Sequence, residues 1–135
     1  MDTHEIRLDT GHRKATVDIT AEVASFCQDR GDGLLSIFVP HATAGIAIFE
    51  TGAGTETDVL AAVDSLLPAE PGRWRHEHGT PGHGRDHVLP AFVSPSITIP
   101  VLDGTPALGT WQSIVLVDTN VDNPSRRVRL SFLPG

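Results

Sequence analysis

Four of the seven histidines in this chain fall in one short stretch, Arg75 to His87, which reads R-H-E-H-G-T-P-G-H-G-R-D-H. Imidazole is the commonest metal ligand among side chains and the one that titrates near neutrality without help. A fifth histidine, His41, follows an apolar run in V-P-H-A-T-A-G-I. A catalytic zinc-type site uses about three protein ligands and keeps one position open, so three histidines from separate segments would suffice. His83 and His87 stand four apart, as in H-E-x-x-H, yet Pro81, Gly82 and Gly84 argue against the helix that motif needs. His76-Glu77-His78 places two imidazoles on one side of an extended segment. The competing reading is a solvated polar loop in which the histidines are incidental. His4 and His12 read as surface residues.

Other positions offer supporting chemistry. Thr43 carries a hydroxyl just past His41, and Gly45 permits close backbone approach to a ligand. A polar residue ending a strand among small residues is placed to line a pocket, or simply to turn the chain. Glu50 ends the next apolar stretch. A carboxylate beside histidines can act as a base or hold an imidazole in one tautomer. Asp58 is better explained by the first turn of a helix, whose dipole favours an acid there. Asp64 reads as a solvated face residue. Cys27, on an apolar helical stripe, reads as a packed thiol. Trp111 and Gln112 would make a stacking platform with a hydrogen-bonding neighbour, or else anchor a sheet. The chain contains no G-x-S-x-G, no G-x-x-x-x-G-K-[ST] and no G-x-G-x-x-G opening a helix.

The elements that must position these residues follow from periodicity. Residues 5–9 and 14–19 alternate polar and apolar, as half-buried strands do, with T-G-H-R between them as a hairpin turn. Thr20 reads as the N-cap of a first helix through Val23, Phe26, Cys27 and Arg30, with Gly31 able to take the C-cap conformation. Residues 33–39, a continuous apolar run, read as a strand buried on both faces. Residues 46–50 form the next strand. Thr55 to Leu67 forms the second helix, opened by a Thr55/Asp58 capping box and stopped by Pro68. Residues 68–86, rich in proline and glycine, read as a long connection without regular structure, a kind of loop that is often functional. Three β-rich stretches follow, 87–101, 111–118 and 128–133. This order lacks the regular βαβ alternation and gives an α+β domain dominated by sheet.

Composition sets the outer bounds. The 135 residues are the size of one domain, with enough apolar content (39%) to build a core without staples. A net charge of −7 excludes a general nucleic-acid binder, which needs a basic face. It leaves room for a local cationic site among Arg126, Arg127 and Arg129. No run approaches the ~20 apolar residues of a membrane span. The N-terminus lacks the basic-then-apolar pattern of a secretory signal, and the lone Cys27 suits a reducing compartment, so a cytoplasmic protein is expected.

Taken in order, the segments resemble the YjbQ-like family, whose members are described as secondary thiamine-phosphate synthase-like proteins. The resemblance spans nearly the whole chain. It rests on H-A-T-A-G-I-A-I-F-E (His41 to Glu50), W-R-H (Trp74 to His76), D-H-V-L (Asp86 to Leu89), S-P-S-I-T-I-P-V-L-D-G-T-P-A-L-G-T-W-Q (Ser94 to Gln112) and D-N-P-S-R-R-V (Asp122 to Val128). It implies a single domain over residues 1–135, an α+β fold with a two-layer β-sandwich and two helices, assembled as a homotrimer. The family's motif histidines fall on His41, His76 and His87, which the resemblance makes metal ligands or proton carriers. Its acidic positions fall on Glu50 and Asp58, with Glu50 orienting an imidazole. His78 and His83 match no motif position. Thr43, Trp111, Gln112 and Arg127 would bind substrate.

The implied reaction couples a pyrimidine pyrophosphate to a thiazole phosphate as a weak activity, with zinc, magnesium or manganese neutralising the leaving pyrophosphate. Two departures stand out. Ser125 replaces the first arginine of the family's D-G-P-R-x-R element, with Arg126 adjacent, and G-H-G-R-D-H replaces its N-A-x-A-H. The alternatives are a non-catalytic trimeric module that binds a metal or small anion, and a structural metal at a trimer contact.

Overall fold

The computed structural model describes residues Met1–Gly135. Strands β1 (Asp2–Asp9) and β2 (Ala15–Asp18) precede helix α1 (Thr20–Cys27). Then come β3 (Gly33–Phe38), β4 (Ala44–Phe49), α2 (Thr55–Leu66) and α3 (His83–Val88). The chain closes with β5 (Ser96–Leu102), β6 (Thr105–Pro106), β7 (Ser113–Asp118) and β8 (Ser125–Pro134). The strands form two antiparallel sheets, one ordered β1-β8-β3-β5-β6 and the other β2-β7-β4. The fold is α+β, and the sheets share a core as the two-layer sandwich requires.

The period-2 pattern explains that core. In β3, Leu35 and Ile37 point inward, joined by Ile99 and Val101 of β5 and by Val128, Leu130 and Phe132 of β8. Ile46, Ile114 and Leu116 meet them from the smaller sheet, and Val23 and Cys27 of α1 close one side. The intervening residues of β7, Val115 and Val117, point the other way, onto Val63 and Leu67 and onto Leu89 just after α3. Each such buried side chain contributes about 1.5–3 kcal/mol of transfer free energy. The strand covered on both faces is therefore β7, and β3 is not: Leu34 is 48% and Phe38 43% exposed.

Two further expectations change. T-G-H-R is no hairpin turn, because β1 pairs with β8 and β2 with β7, so the segment crosses from one sheet to the other. Residues 68–86 are not irregular throughout, because α3 begins at His83, making three helices rather than two. A 3₁₀ turn, Leu89–Ala91, continues it, so regular sheet structure after the loop starts only at Ser96.

Candidate metal centre

Helix α3 forms despite two local handicaps. It has one helical turn and a half, and its interior contains Gly84, which costs helix stability relative to alanine. Tertiary bonds hold it. Arg85 is 4% exposed, and its Nη1 donates to Asp64 Oδ1 (2.9 Å) and to the Leu67 carbonyl (3.0 Å). Its Nε donates to Asp86 Oδ1 at 2.9 Å. Asp86, equally buried, also accepts from the Thr119 hydroxyl (2.6 Å) and from Asn120 Nδ2 (3.3 Å), beyond the end of β7. The short helix is thereby tied to α2 on one side and to the smaller sheet on the other.

That anchoring aligns the imidazoles. His83 and His87 lie one helical turn apart, with their Nε2 atoms at 3.1 Å. His76 comes from the preceding loop, and its Nε2 is 3.1 Å from that of His83. Gly84 makes this approach possible. A Cβ there would run into the His76 carbonyl oxygen and come within 2.6 Å of Trp74 Cβ. Trp74 is pinned in turn by its indole N–H, which donates to the Pro68 carbonyl at 2.8 Å.

The ligand nitrogens of His76, His83 and His87 all lie within 4.8 Å of one another. Nitrogens bound to zinc at ~2.0–2.1 Å stand about 3.3 Å apart at tetrahedral angles, so this spacing fits a shared divalent ion. Asp122 supplies the outer partner: its Oδ2 lies 3.0 Å from His83 Nδ1. Donation of Nδ1–H to that carboxylate leaves the Nε2 lone pair for the centre. Thr80 donates its hydroxyl to the other oxygen of Asp122, and Asn120 Oδ1 accepts from the Asp122 backbone N–H. Burial, then repulsion from His76 and His83, lowers the His87 pKa below its ordinary 6.5, which favours the neutral, ligating imidazole.

The trio differs from the expected His41, His76 and His87. His41 stands apart because its Nε2 accepts the Arg127 backbone N–H at 3.0 Å. Burial, then the charges of Arg126 and Arg127, push its pKa below 6.5, so it is neutral with its proton on Nδ1. It borders a cleft of about 270 Å³ shared with Thr43, His83, Asn120, Asp122 and Arg126. His83 is thus the ring common to the three-histidine group and to the His41 cleft. It matches no family motif, and the signal that could have found it was the four-residue spacing to His87.

The remaining candidates scatter. Thr43 is buried, with its hydroxyl donated to Asp118 Oδ1 (3.2 Å), and Asp118 is ion-paired to buried Arg126. Gly45 is needed for a close approach, but by the Val93 backbone rather than by a ligand. Glu50, Trp111 and Gln112 sit at the far end of the smaller sheet. β4 pairs Ala44 with Asp118 and Phe49 with Ser113, so its six residues, ~3.3 Å each, separate Glu50 from His41. Asp122, not Glu50, is the carboxylate that meets an imidazole. Gln112 Oε1 accepts the Gly109 N–H at 2.7 Å, and Trp111 is 73% exposed. The Arg127 side chain lies on the exposed face of β8, 3.7 Å from Glu5. Ser125 is exposed at the start of that strand, and buried Arg126 points to the opposite side, so Arg126 does not take up the position of the missing arginine.

Comparison with known proteins agrees with this architecture. The family model described as UPF0047 protein YjbQ-like matches residues 4–135. A UPF0047 protein of Mycobacterium tuberculosis H37Rv is 58% identical over 135 residues, covering 100% of both chains. A UPF0047 protein of Methanocaldococcus jannaschii is 35% identical, over 90% of this chain and 86% of the relative. The crystal structure of a YbjQ-like protein from Sulfolobus solfataricus P2 matches with a TM-score of 0.91 at 26% identity, covering 99% of this chain and 97% of that one. A hypothetical protein from Aeropyrum pernix K1 matches with a TM-score of 0.87 at 30% identity, covering 100% of both chains.

Proposed function

The chain belongs to the UPF0047 family of YjbQ-like proteins, and from that premise we propose that it is a small-molecule enzyme of the secondary thiamine-phosphate synthase-like type. The observation that carries this reading is the convergence of the ligand nitrogens of His76, His83 and His87 within 4.8 Å. These three residues would hold a divalent ion, and an all-imidazole set favours zinc over magnesium or manganese. When bound, the ion supplies a Lewis acid for the oxygens of a pyrophosphate leaving group.

In the coupling reaction the thiazole nitrogen attacks the exocyclic methylene carbon of the pyrimidine pyrophosphate. The carbon–oxygen bond breaks, and pyrophosphate departs with the bonding pair. His41, with Nε2 already occupied, offers Nδ1–H to a phosphate oxygen in its cleft. Arg127, on the exposed face of β8, would provide a cationic contact only by turning away from Glu5 toward that phosphate. Asp122 keeps the His83 tautomer fixed throughout. Glu50, Trp111 and Gln112, at the other end of the sheet, would reach substrate only through a neighbouring subunit, so a homotrimer is part of the proposal.

Purified protein loaded with zinc should form thiamine phosphate and pyrophosphate from the two phosphorylated precursors. Chelation and His83→Ala should each abolish turnover; turnover that survives both contradicts the reading. A second reading, a non-catalytic metal- or anion-binding module, is favoured by one observation: Thr43 donates its hydroxyl to Asp118, and Arg126 commits Nε to Asp118 and Nη1 to the Asn123 and Ser125 carbonyls, leaving only its buried Nη2 without a partner. It is expected to give stoichiometric metal binding with no product.

A further inference from the structure

We propose that His78 is a fourth, displaceable ligand of the same centre, which yields its place to an oxygen of an anionic pyrophosphate-like substrate; this rests on the metal reading above. Four imidazole rings, not three, gather here. The His78 ring centre lies 4.5 Å from that of His76 and 4.5 Å from that of His83. The separations among the other three rings are 5.0 Å (His76 to His83), 4.4 Å (His76 to His87) and 4.6 Å (His83 to His87), so His78 adjoins two of the three. Four imidazoles bound tetrahedrally to zinc at ~2.0–2.1 Å place their ring centres roughly 5 Å apart. Packing four titratable rings this closely has no apolar rationale, because His76 and His78 are exposed.

His78 also differs from its neighbours in how it is held. His83 and His87 ride on the anchored helix α3, and His83 is fixed by Asp122. His78 sits on a loop pinned at two nearby points. Glu77 accepts the Gly72 N–H at 2.6 Å, and Thr80 donates to Asp122. Between these pins comes Gly79, with φ of 75°, a conformation glycine adopts without strain. The loop thus keeps the exposed ring beside His76 and His83. The nitrogens of the other three are already within 4.8 Å of one another, and His78, outside that group, would join them by rotating inward.

A closed set of four protein ligands marks a structural zinc site, and three with an open position mark a catalytic one. A removable fourth histidine serves both states. His78 and His83 border one cleft of about 210 Å³, together with Trp74, Glu77 and Thr80, so the released position opens onto space that a ligand can enter. The step is a simple exchange: the bond to the His78 nitrogen breaks as one to a phosphate oxygen forms, and the imidazole leaves neutral. No electron transfer or co-reactant is needed.

Cobalt(II) is the direct probe, because its visible absorption reports the ligand set. It should be titrated into wild-type protein, His78→Ala and His83→Ala, with folding checked by circular dichroism, and then inorganic pyrophosphate added. The expected result is one cobalt per wild-type chain and an altered band for His78→Ala, with affinity weaker by about tenfold or more. Pyrophosphate should then bring the two spectra together. If His78→Ala matches wild-type in affinity and band, His78 is not a ligand, and the three-histidine centre stands without it. A wild-type spectrum that pyrophosphate leaves unmoved makes His78 a permanent ligand and overturns the exchange. If wild-type binds no cobalt, this proposal and the metal reading fall together.

Discussion

Single side chains decide which nitrogen faces the centre. Asp122 holds His83 by Nδ1, so Asp122→Ala should weaken zinc binding about 10–100-fold, as measured by competition with a chromophoric chelator. An unchanged affinity would remove Asp122 from the account. His41 gives a prediction about stability instead. Its folded pKa lies below the ordinary 6.5, so the folded state resists its protonation. The stability it contributes is complete above 6.5 and is lost as pH falls through the lowered value, because the unfolded chain binds the proton first. Denaturation midpoints should therefore decline below pH 6.5, and His41→Gln should flatten that decline; a parallel decline in the variant contradicts this role. At this scale the run of histidines in the sequence marked the segment where His76, His83 and His87 lie together, while the surroundings of His41 were not legible. Nothing in V-P-H-A-T-A-G-I shows that a backbone N–H from Arg127, 86 residues away, occupies Nε2.

Helix α3 shows where local rules stop. Pro81, Gly82 and Gly84 read as loop because intrinsic propensity is all that a short window displays, whereas the bonds that stabilise the helix reach to Asp64, Leu67, Thr119 and Asn120. Helix α2 was legible because a long periodic run buries one face whatever its partners, and strands β4 and β7 because short dense apolar runs bounded by polar residues are buried in any pairing. Two substitutions test this dependence. Asp86→Ala leaves Arg85 its bonds to Asp64 and Leu67 but unpairs its Nε and the Thr119 and Asn120 donors, and should cost about 1–3 kcal/mol in chemical denaturation. Gly84→Ala should cost about 1–3 kcal/mol through overpacking and should push His76 off the helix, lowering zinc affinity as well. A Gly84→Ala protein with wild-type affinity would show that the loop reaches the centre by another route.

At the scale of the whole molecule the question is the proposed trimer. The run G-L-L-S-I-F-V reads as doubly buried, yet within one chain Leu34, opposite exposed Leu133, and Phe38, four residues along the strand, are exposed on the outer face of the larger sheet. A subunit contact on that face would reconcile the pattern with the fold, since permanent interfaces resemble a core cut in half. Sedimentation equilibrium should give a trimer for the wild-type chain and smaller species for Leu34→Glu combined with Phe38→Glu; a wild-type monomer at every concentration contradicts the assembly. The order of strands and the family were legible from the sequence. The pairing of β1 with β8 was not, because alternation names a strand's faces and never its partner.

The proposed chemistry depends on which histidines form the centre. Zinc content per chain, measured by elemental analysis on wild-type, His41→Ala and His83→Ala proteins purified in parallel, separates the possibilities most directly. About one zinc is expected in wild-type and in His41→Ala, and none in His83→Ala. Zinc retained by His83→Ala and lost from His41→Ala would contradict the geometry proposed for this site.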